Sequence, residues 1–166
     1  MLDKYWKHFK SGTDIRGIAS AGAPDKREID LTDENIRKMT AGFVLWLAEQ
    51  RAVAPEQMTI SVGHDSRISA DRIQADVVQV LTSAGCHVLC CGLASTPSMF
   101  MTTVDLHCTG AVQITASHHP FFRNGLKFFT RDGGLEGSDI EAILEHAQNG
   151  DTLPEKHGMA EQVDYM

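Results

Sequence analysis

The sequence shows no run that reads as a membrane-spanning helix or as a signal peptide. Its longest apolar run, Phe43 to Ala48, is far shorter than the roughly 20 residues that cross a bilayer. The N-terminus, Met-Leu-Asp-Lys-Tyr-Trp-Lys, has no apolar core of the kind a signal peptide carries. A cytoplasmic location is the expectation. Positive charge is also scarce: 15 Lys and Arg stand against 22 Asp and Glu, for a net charge of −7. The isoelectric point is near 5.5. That balance argues against nucleic acid and against an anionic membrane as the main partner, since both call for a basic surface. It leaves room for a local basic site that binds a small phosphorylated ligand. The four cysteines contain no C-x-x-C pair, so neither a zinc knuckle nor a thioredoxin-type motif is present. Cys86, His87 and Cys90 make a poor metal set, because consecutive strand residues point to opposite faces. The cysteines read as buried small hydrophobes. A P-loop, a dinucleotide fingerprint and a G-x-S-x-G elbow are all missing, as are internal repeats and low-complexity stretches.

What is present is an ordinary globular balance, 42% hydrophobic and 22% charged over 166 residues, enough for one domain with a real core. Thr32, followed by Asp33 and Glu34, predicts a helix N-terminus. Ile36, Met39, Phe43 and Leu47 then recur at helical spacing, with Val44 beside them. Met58 to Val62 reads as a strand, followed by the loop Gly63-His64-Asp65-Ser66-Arg67. Ser69 is a candidate cap for a second helix that buries Ile73, Val77, Val80 and Leu81 and stops at Gly85. Cys86 to Cys90 is the next strand. Thr96-Pro97 predicts a short helix to about 106. Ala111 to Thr115 and Leu126 to Thr130 are strands. Ser138-Asp139-Ile140-Glu141 matches a capping box, and the helix it opens ends at Gly150. The stretch 151–166 reads as a linker or frayed tail. The pattern predicts a three-layer α/β/α fold around a mixed, mostly parallel four-stranded sheet with its last strand antiparallel. Residues 1–150 would form the domain. Ligands in such sheets sit beyond the carboxyl ends of strands, where the polar loops 63–67 and 116–125 are expected.

The connection between the last two strands is the most informative stretch. Between strands a plain turn needs only a few residues. This one carries Ser117, His118, His119, Pro120, Arg123, Asn124 and Gly125, with Lys127 just beyond. A hydroxyl on a loop among cations suits phosphoryl chemistry, with Lys127, Arg123 and His118 able to offset a phosphate's charge. Two other segments are polar and glycine-flanked. Ser11-Gly12-Thr13-Asp14-Ile15-Arg16-Gly17 reads on its own as a turn with a solvated Arg-Asp pair. In the loop at 63–67, Asp65 could cap the turn and pair with Arg67 at the surface.

Three segments together resemble the first domain of the α-D-phosphohexomutases, the phosphomannomutase/phosphoglucomutase superfamily. They are Gly12-Thr13-Asp14-Ile15-Arg16-Gly17, then Gly63-His64-Asp65-Ser66-Arg67, then Thr115-Ala116-Ser117-His118-His119-Pro120 with Asn124-Gly125-Leu126-Lys127. The resemblance covers about residues 10–150, and the third segment is the specific one. It implies that Ser117 is a phosphoserine that donates its phosphoryl group to a hexose phosphate. A hexose 1,6-bisphosphate then forms, reorients and returns its other phosphoryl group. Lys127 and His118 match family residues suited to charge stabilisation or proton transfer. Arg16 matches an arginine of the catalytic cleft. Thr13, Arg67, His119 and Asn124 match positions around the phosphate and substrate. The resemblance further implies Mg²⁺, with Ser117 as ligand through its phosphate and the other ligands on a second domain, and a glucose 1,6-bisphosphate-type activator.

His119 stands where the family usually has asparagine, and it lacks the paired amide geometry. Family members have four domains, so the sequence is expected to be one domain of a longer enzyme. By itself it would be inactive, and its partners would be a hexose phosphate and the enzyme's other domains. A non-catalytic phosphosugar-binding or regulatory domain of the same fold is the alternative. An interaction module exposing the surface for a second domain is a third reading. The run Asn124 to Phe129 looks somewhat like phosphoglucosamine mutases.

Overall fold

A computed structural model describes residues 1–20, 28–116 and 122–164. Helix α1 (Lys4–Lys7) leads into strands β1 (Lys10–Ser11) and β2 (Asp14–Ile18). Helix α2 (Asp33–Arg51), β3 (Thr59–His64), α3 (Ala70–Ser83), β4 (His87–Leu93), α4 (Thr96–Asp105) and β5 (Gly110–Ile114) follow. The chain continues through β6 (Arg123–Thr130), β7 (Gly133–Gly134), α5 (Gly137–Asn149) and β8 (Met159–Gln162).

Helix α2 begins as its sequence dictates. The Thr32 hydroxyl accepts from the Asn35 amide at 3.1 Å, and Asp33 and Glu34 fill the first turn. The repeat Ile36, Met39, Phe43, Leu47 is fully buried. Phe43 stacks on Phe128 of β6 with ring centres 4.4 Å apart, joining helix to sheet. Strand alternation then sorts side chains between two faces. Val62, Val112, Ile114 and Phe128 pack beneath α2, α3 and α5. Ala111 and Phe129 pack against Met99 of α4 in a smaller cluster on the other face. The fold is therefore α/β/α in three layers, with unequal helical cover.

Among the described residues the sheet has eight strands, not four, in the order β1-β2-β6-β5-β3-β4-β8, with β7 on β6. Parallel pairs join β3 to β4, β3 to β5 and β4 to β8. The pairs β1–β2, β2–β6, β5–β6 and β6–β7 are antiparallel, so the sheet is mixed without being mostly parallel. The expected antiparallel pair of β5 and β6 is present, but the last strand in the chain, β8, runs parallel to its neighbour. The four extra strands share one property: none shows a clear apolar alternation. β1 and β7 are two residues long, β2 carries Asp14, Arg16 and Gly17, and β8 is exposed throughout. Tertiary pairing makes them strands, and β8 lies within the stretch expected to be a linker or tail. Among the described residues, no helix is long and apolar enough to cross a membrane.

Three helix starts differ from expectation. Ser95 rather than Thr96 caps α4, accepting from the Ser98 amide at 3.2 Å. Ser69 precedes α3 without a capping bond, because its hydroxyl accepts from Asn124 at 2.8 Å instead. Helix α5 starts slightly earlier, at Gly137, and the Asp139 carboxylate accepts from the Glu136 amide at 2.8 Å. All four cysteines are free and buried. Burial pushes the Cys86 thiol up to about 12 and Cys91 up to about 11, so both stay protonated and inert.

Asp76 of α3 is the least ordinary core residue. Its side chain is 7% exposed and faces Arg37 at 3.2 Å. Its Oδ2 is buried without a hydrogen-bond partner among the described residues, and the neighbouring Asp33 adds negative charge. Burial first, then Asp33, raises its pKa from 3.8 to about 6. Arg37 and Arg72 oppose that rise, and Asp33 itself is lowered. A carboxyl with a raised folded pKa binds a proton more readily in the native state than in the unfolded state. Its contribution therefore favours folding increasingly as pH falls from about 6 towards 3.8. The lowered Asp33 acts oppositely, with its stability lost as pH falls below 3.8. Asp76→Asn mimics the protonated acid. It should remove the stability gain on acidification across that window, on the order of 1–3 kcal/mol, in urea titrations run at a series of pH values.

Candidate active site

The parallel strands β3 and β5 end side by side, and the Asp65 amide donates to the Ile114 carbonyl at 3.1 Å. Across the sheet, β2 lies against β6 with Arg16 opposite Gly125. Strand β6 in turn flanks β5, and the Thr115 amide donates to the Gly125 carbonyl at 3.0 Å. These pairings bring all three polar segments to one end of the sheet, where the chain enters residues 117–121.

Arg16 is the anchor. It is 3% exposed, so the solvated Arg-Asp pair read from the sequence is a buried one. Its Nη1 donates to the Thr115 carbonyl at 2.6 Å and to the Ile15 carbonyl at 3.3 Å. Its Nη2 donates to Asp14 Oδ2 at 2.8 Å. Burial lowers its pKa first, Asp14 opposes that, and the positive charges of Arg67 and Arg123 lower it further. Asp14 serves two cations, since Lys127 Nζ donates to its Oδ1 at 2.9 Å. The same ammonium lies 5.7 Å from the centre of the Phe129 ring. One carboxylate thus fixes the guanidinium of β2 and the ammonium of β6 relative to each other.

Asp65 plays the same part on the other side. Its Oδ2 accepts from the Thr115 hydroxyl at 2.8 Å and from Arg67 Nε at 3.3 Å. Its Oδ1 accepts from the Arg67 amide at 3.2 Å. The Arg67 side chain is 12% exposed rather than on the surface, and its Nη1 donates to the Arg123 carbonyl at 3.3 Å. Thr115 is therefore held through its amide, its carbonyl and its hydroxyl, two residues before Ser117.

Of the expected site residues, the structure gathers Arg16, Arg67 and Lys127. Asn124 is fully buried inside β6. Its amide donates to Ser69 Oγ at 2.8 Å, and its oxygen accepts from the Gly125 amide at 2.9 Å. Thr13 is exposed in the turn between β1 and β2. Ser117, His118 and His119 lie outside the described residues. Asp14, Asp65 and Gly125 belong to the sequence motifs but carry no site role that the sequence alone announces. A carboxylate beside an arginine in sequence looks like a surface pair until its burial is known. Among the described residues, no cluster of three or more His, Cys, Asp or Glu could hold a metal ion. Asp14 and Asp65 are engaged with cations, so these residues do not by themselves fit Mg²⁺.

An α/β domain with cations gathered at the carboxyl ends of its parallel strands has the layout of a phosphate-handling class of protein. Residues 8–153 match the family described as phosphoglucomutase/phosphomannomutase, alpha/beta/alpha domain I, and the chain belongs to that family. A phosphoglucosamine mutase of Shouchella clausii is 34% identical over 154 residues, covering 89% of this chain and 31% of the relative. One from Campylobacter jejuni is 37% identical over 112 residues, covering 63% and 25%. The crystal structure of a phosphoglucomutase/phosphomannomutase family protein from Burkholderia thailandensis superposes with a TM-score of 0.73 at 22% identity. The match covers 99% of this chain and 34% of that one, and it supports the fold. The chain thus spans about a third of the length of the curated relative from Shouchella clausii.

Proposed function

We propose that the chain is the serine-bearing domain of a phosphohexose mutase. Phosphorylated Ser117 transfers its phosphoryl group to a free hydroxyl of a hexose monophosphate. The P–O bond to the serine breaks, a P–O bond to the sugar forms, and the hydroxyl proton leaves to a base. Reversal at the other end of the bisphosphate regenerates phosphoserine. The observation that carries this reading is the grip on Thr115: Arg16 and Asp65 fix that residue two positions before Ser117. Charge balance supports it too. Among the described residues of the cluster, the cations Arg16, Arg67, Arg123 and Lys127 stand against Asp14 and Asp65, leaving two positive charges over. A phosphoserine carries about −1.5 to −2.

Lys127 is suited to stabilise charge on the transferring phosphoryl group or to move the hydroxyl proton. His118 is a second candidate for either task. The names of the relatives favour a glucosamine phosphate as substrate. Mg²⁺, a glucose 1,6-bisphosphate-type activator, a cytoplasmic location and a further domain beyond about residue 150 belong to the same proposal. Any metal would need ligands that the described residues lack.

Mass spectrometry of a longer protein containing this chain, incubated with glucose 1,6-bisphosphate, should find phosphate on Ser117. Phosphate on another residue instead would sink the assignment. The 166-residue chain alone should show no mutase turnover. The alternative, a non-catalytic phosphosugar-binding or regulatory domain, is favoured by His119 in the loop. It requires the longer protein to bind hexose phosphate without turning it over.

A further inference from the structure

We propose that Arg123 is an oxyanion ligand whose Nε donates to a doubly charged phosphate group held with Arg16, Arg67 and Lys127. The proposal deepens the mutase reading and rests on it for the identity of the anion as a phosphoryl group.

Arg123 opens β6 and pairs with Ile18 of β2. Its backbone carbonyl accepts from Arg67, so a second arginine fixes its position. Among the described residues, Arg123 Nε is buried and has no hydrogen-bond partner. A buried guanidinium donor without an acceptor is costly and rare, so it calls for an explanation such as a missing anion. Among the described residues, the carboxylates of the cluster are already committed. Asp14 accepts from Arg16 and Lys127, and Asp65 from Arg67 and Thr115. Arg123 stands two residues before Gly125, the partner of Arg16 across the β2–β6 pair, and it shares its strand face with Lys127. Guanidinium groups brought together need anions to offset them, and among the described residues of the cluster Asp14 and Asp65 fall short by two charges. A phosphate dianion supplies both charges and several acceptor oxygens, and planar guanidinium donors match its geometry.

The test uses the 166-residue chain with Ser117→Ala, so that no phosphoserine can form. Inorganic phosphate is titrated at constant ionic strength, above its second ionisation, and followed by ³¹P NMR line width. Saturable binding is expected. Arg123→Gln should weaken it roughly tenfold, the loss expected for one charge-assisted hydrogen bond. Arg131→Gln, at an exposed position, should leave it unchanged. Arg123→Lys keeps the charge but lacks the planar Nε donor, so it should not restore full affinity. Absence of saturable binding overturns the proposal, as does full affinity in Arg123→Gln. Should the glutamine variant fail to fold, full affinity in Arg123→Lys overturns the Nε assignment and a weakened affinity supports it. The two readings fail separately. Phosphate bound through Arg123 without phosphate on Ser117 in the longer protein removes the mutase reading and keeps the anion site.

Discussion

Gly125→Ala should destabilise the domain by about 3 kcal/mol or more, read as a lower urea midpoint at unchanged slope. A Cβ at this position would overlap the Ile15 carbonyl oxygen. It would also stand 2.8 Å from Arg16 Nη1 and 2.9 Å from Arg16 Cδ. The carbonyl is backbone inside the β2–β6 pair, so it cannot swing aside as the end of a long side chain can. Relief requires the two strands to separate or Arg16 to leave its bed. The first breaks ladder hydrogen bonds in the sheet, and the second frees the Thr115 carbonyl that Arg16 holds. A variant with wild-type stability would show that the close approach of β2 and β6 is not needed. In the longer protein the same substitution should lower phosphate incorporation at Ser117 even below the unfolding transition.

Asp14→Asn should cost about 2–3 kcal/mol in the unphosphorylated chain, because it removes the anion from between two cations. Asp14 is 16% exposed and Arg16 only 3%, so solvent cannot replace the lost charge at the guanidinium. An asparagine oxygen can still accept one hydrogen bond but cannot serve both Arg16 and Lys127 as an ion. Burial already lowers the Arg16 pKa, and loss of Asp14 removes the main opposing influence. On the mutase reading, phosphorylation of Ser117 supplies fresh negative charge nearby. The destabilisation should then shrink in the phosphorylated form. Equal losses in both forms, measured by urea unfolding, would separate the Asp14 bridge from the phosphate.

Much of the fold is legible because its signals are local. The helical repeat from Ile36 to Leu47 can satisfy itself only by burying one face, and Thr32 and Asp33 mark where it begins. β3, β4 and β5 carry short apolar runs bounded by polar loops, and β5 is buried along its whole length. The missed strands carry no such mark. β2 holds Asp14 and Arg16 in a sheet interior, a placement that burial preferences disfavour unless the charges find partners. β8 gains its conformation from the parallel edge of β4, and its exposed residues carry no trace of that. Ser69 shows the same limit at a smaller scale. Its position before a helix suggests a cap, but Asn124, 55 residues later, takes its hydroxyl.

The order of the three motifs, the serine among cations and the family they resemble are properties of the linear chain. They follow from residue identity and spacing, which folding leaves unchanged. Charge partners are different, because pairing energy depends on distance and burial. Only the packed sheet brings Asp14 to Lys127 across 113 positions and Arg16 to Thr115 across 99. The antiparallel pairing of β2 with β6 creates those contacts, and Gly125 leaves the space that Arg16 fills. Scarce positive charge, spread evenly over an acidic chain, would hold no phosphate. Collected at one end of the sheet with its acids already engaged, the same few cations leave a surplus where a phosphate would be held.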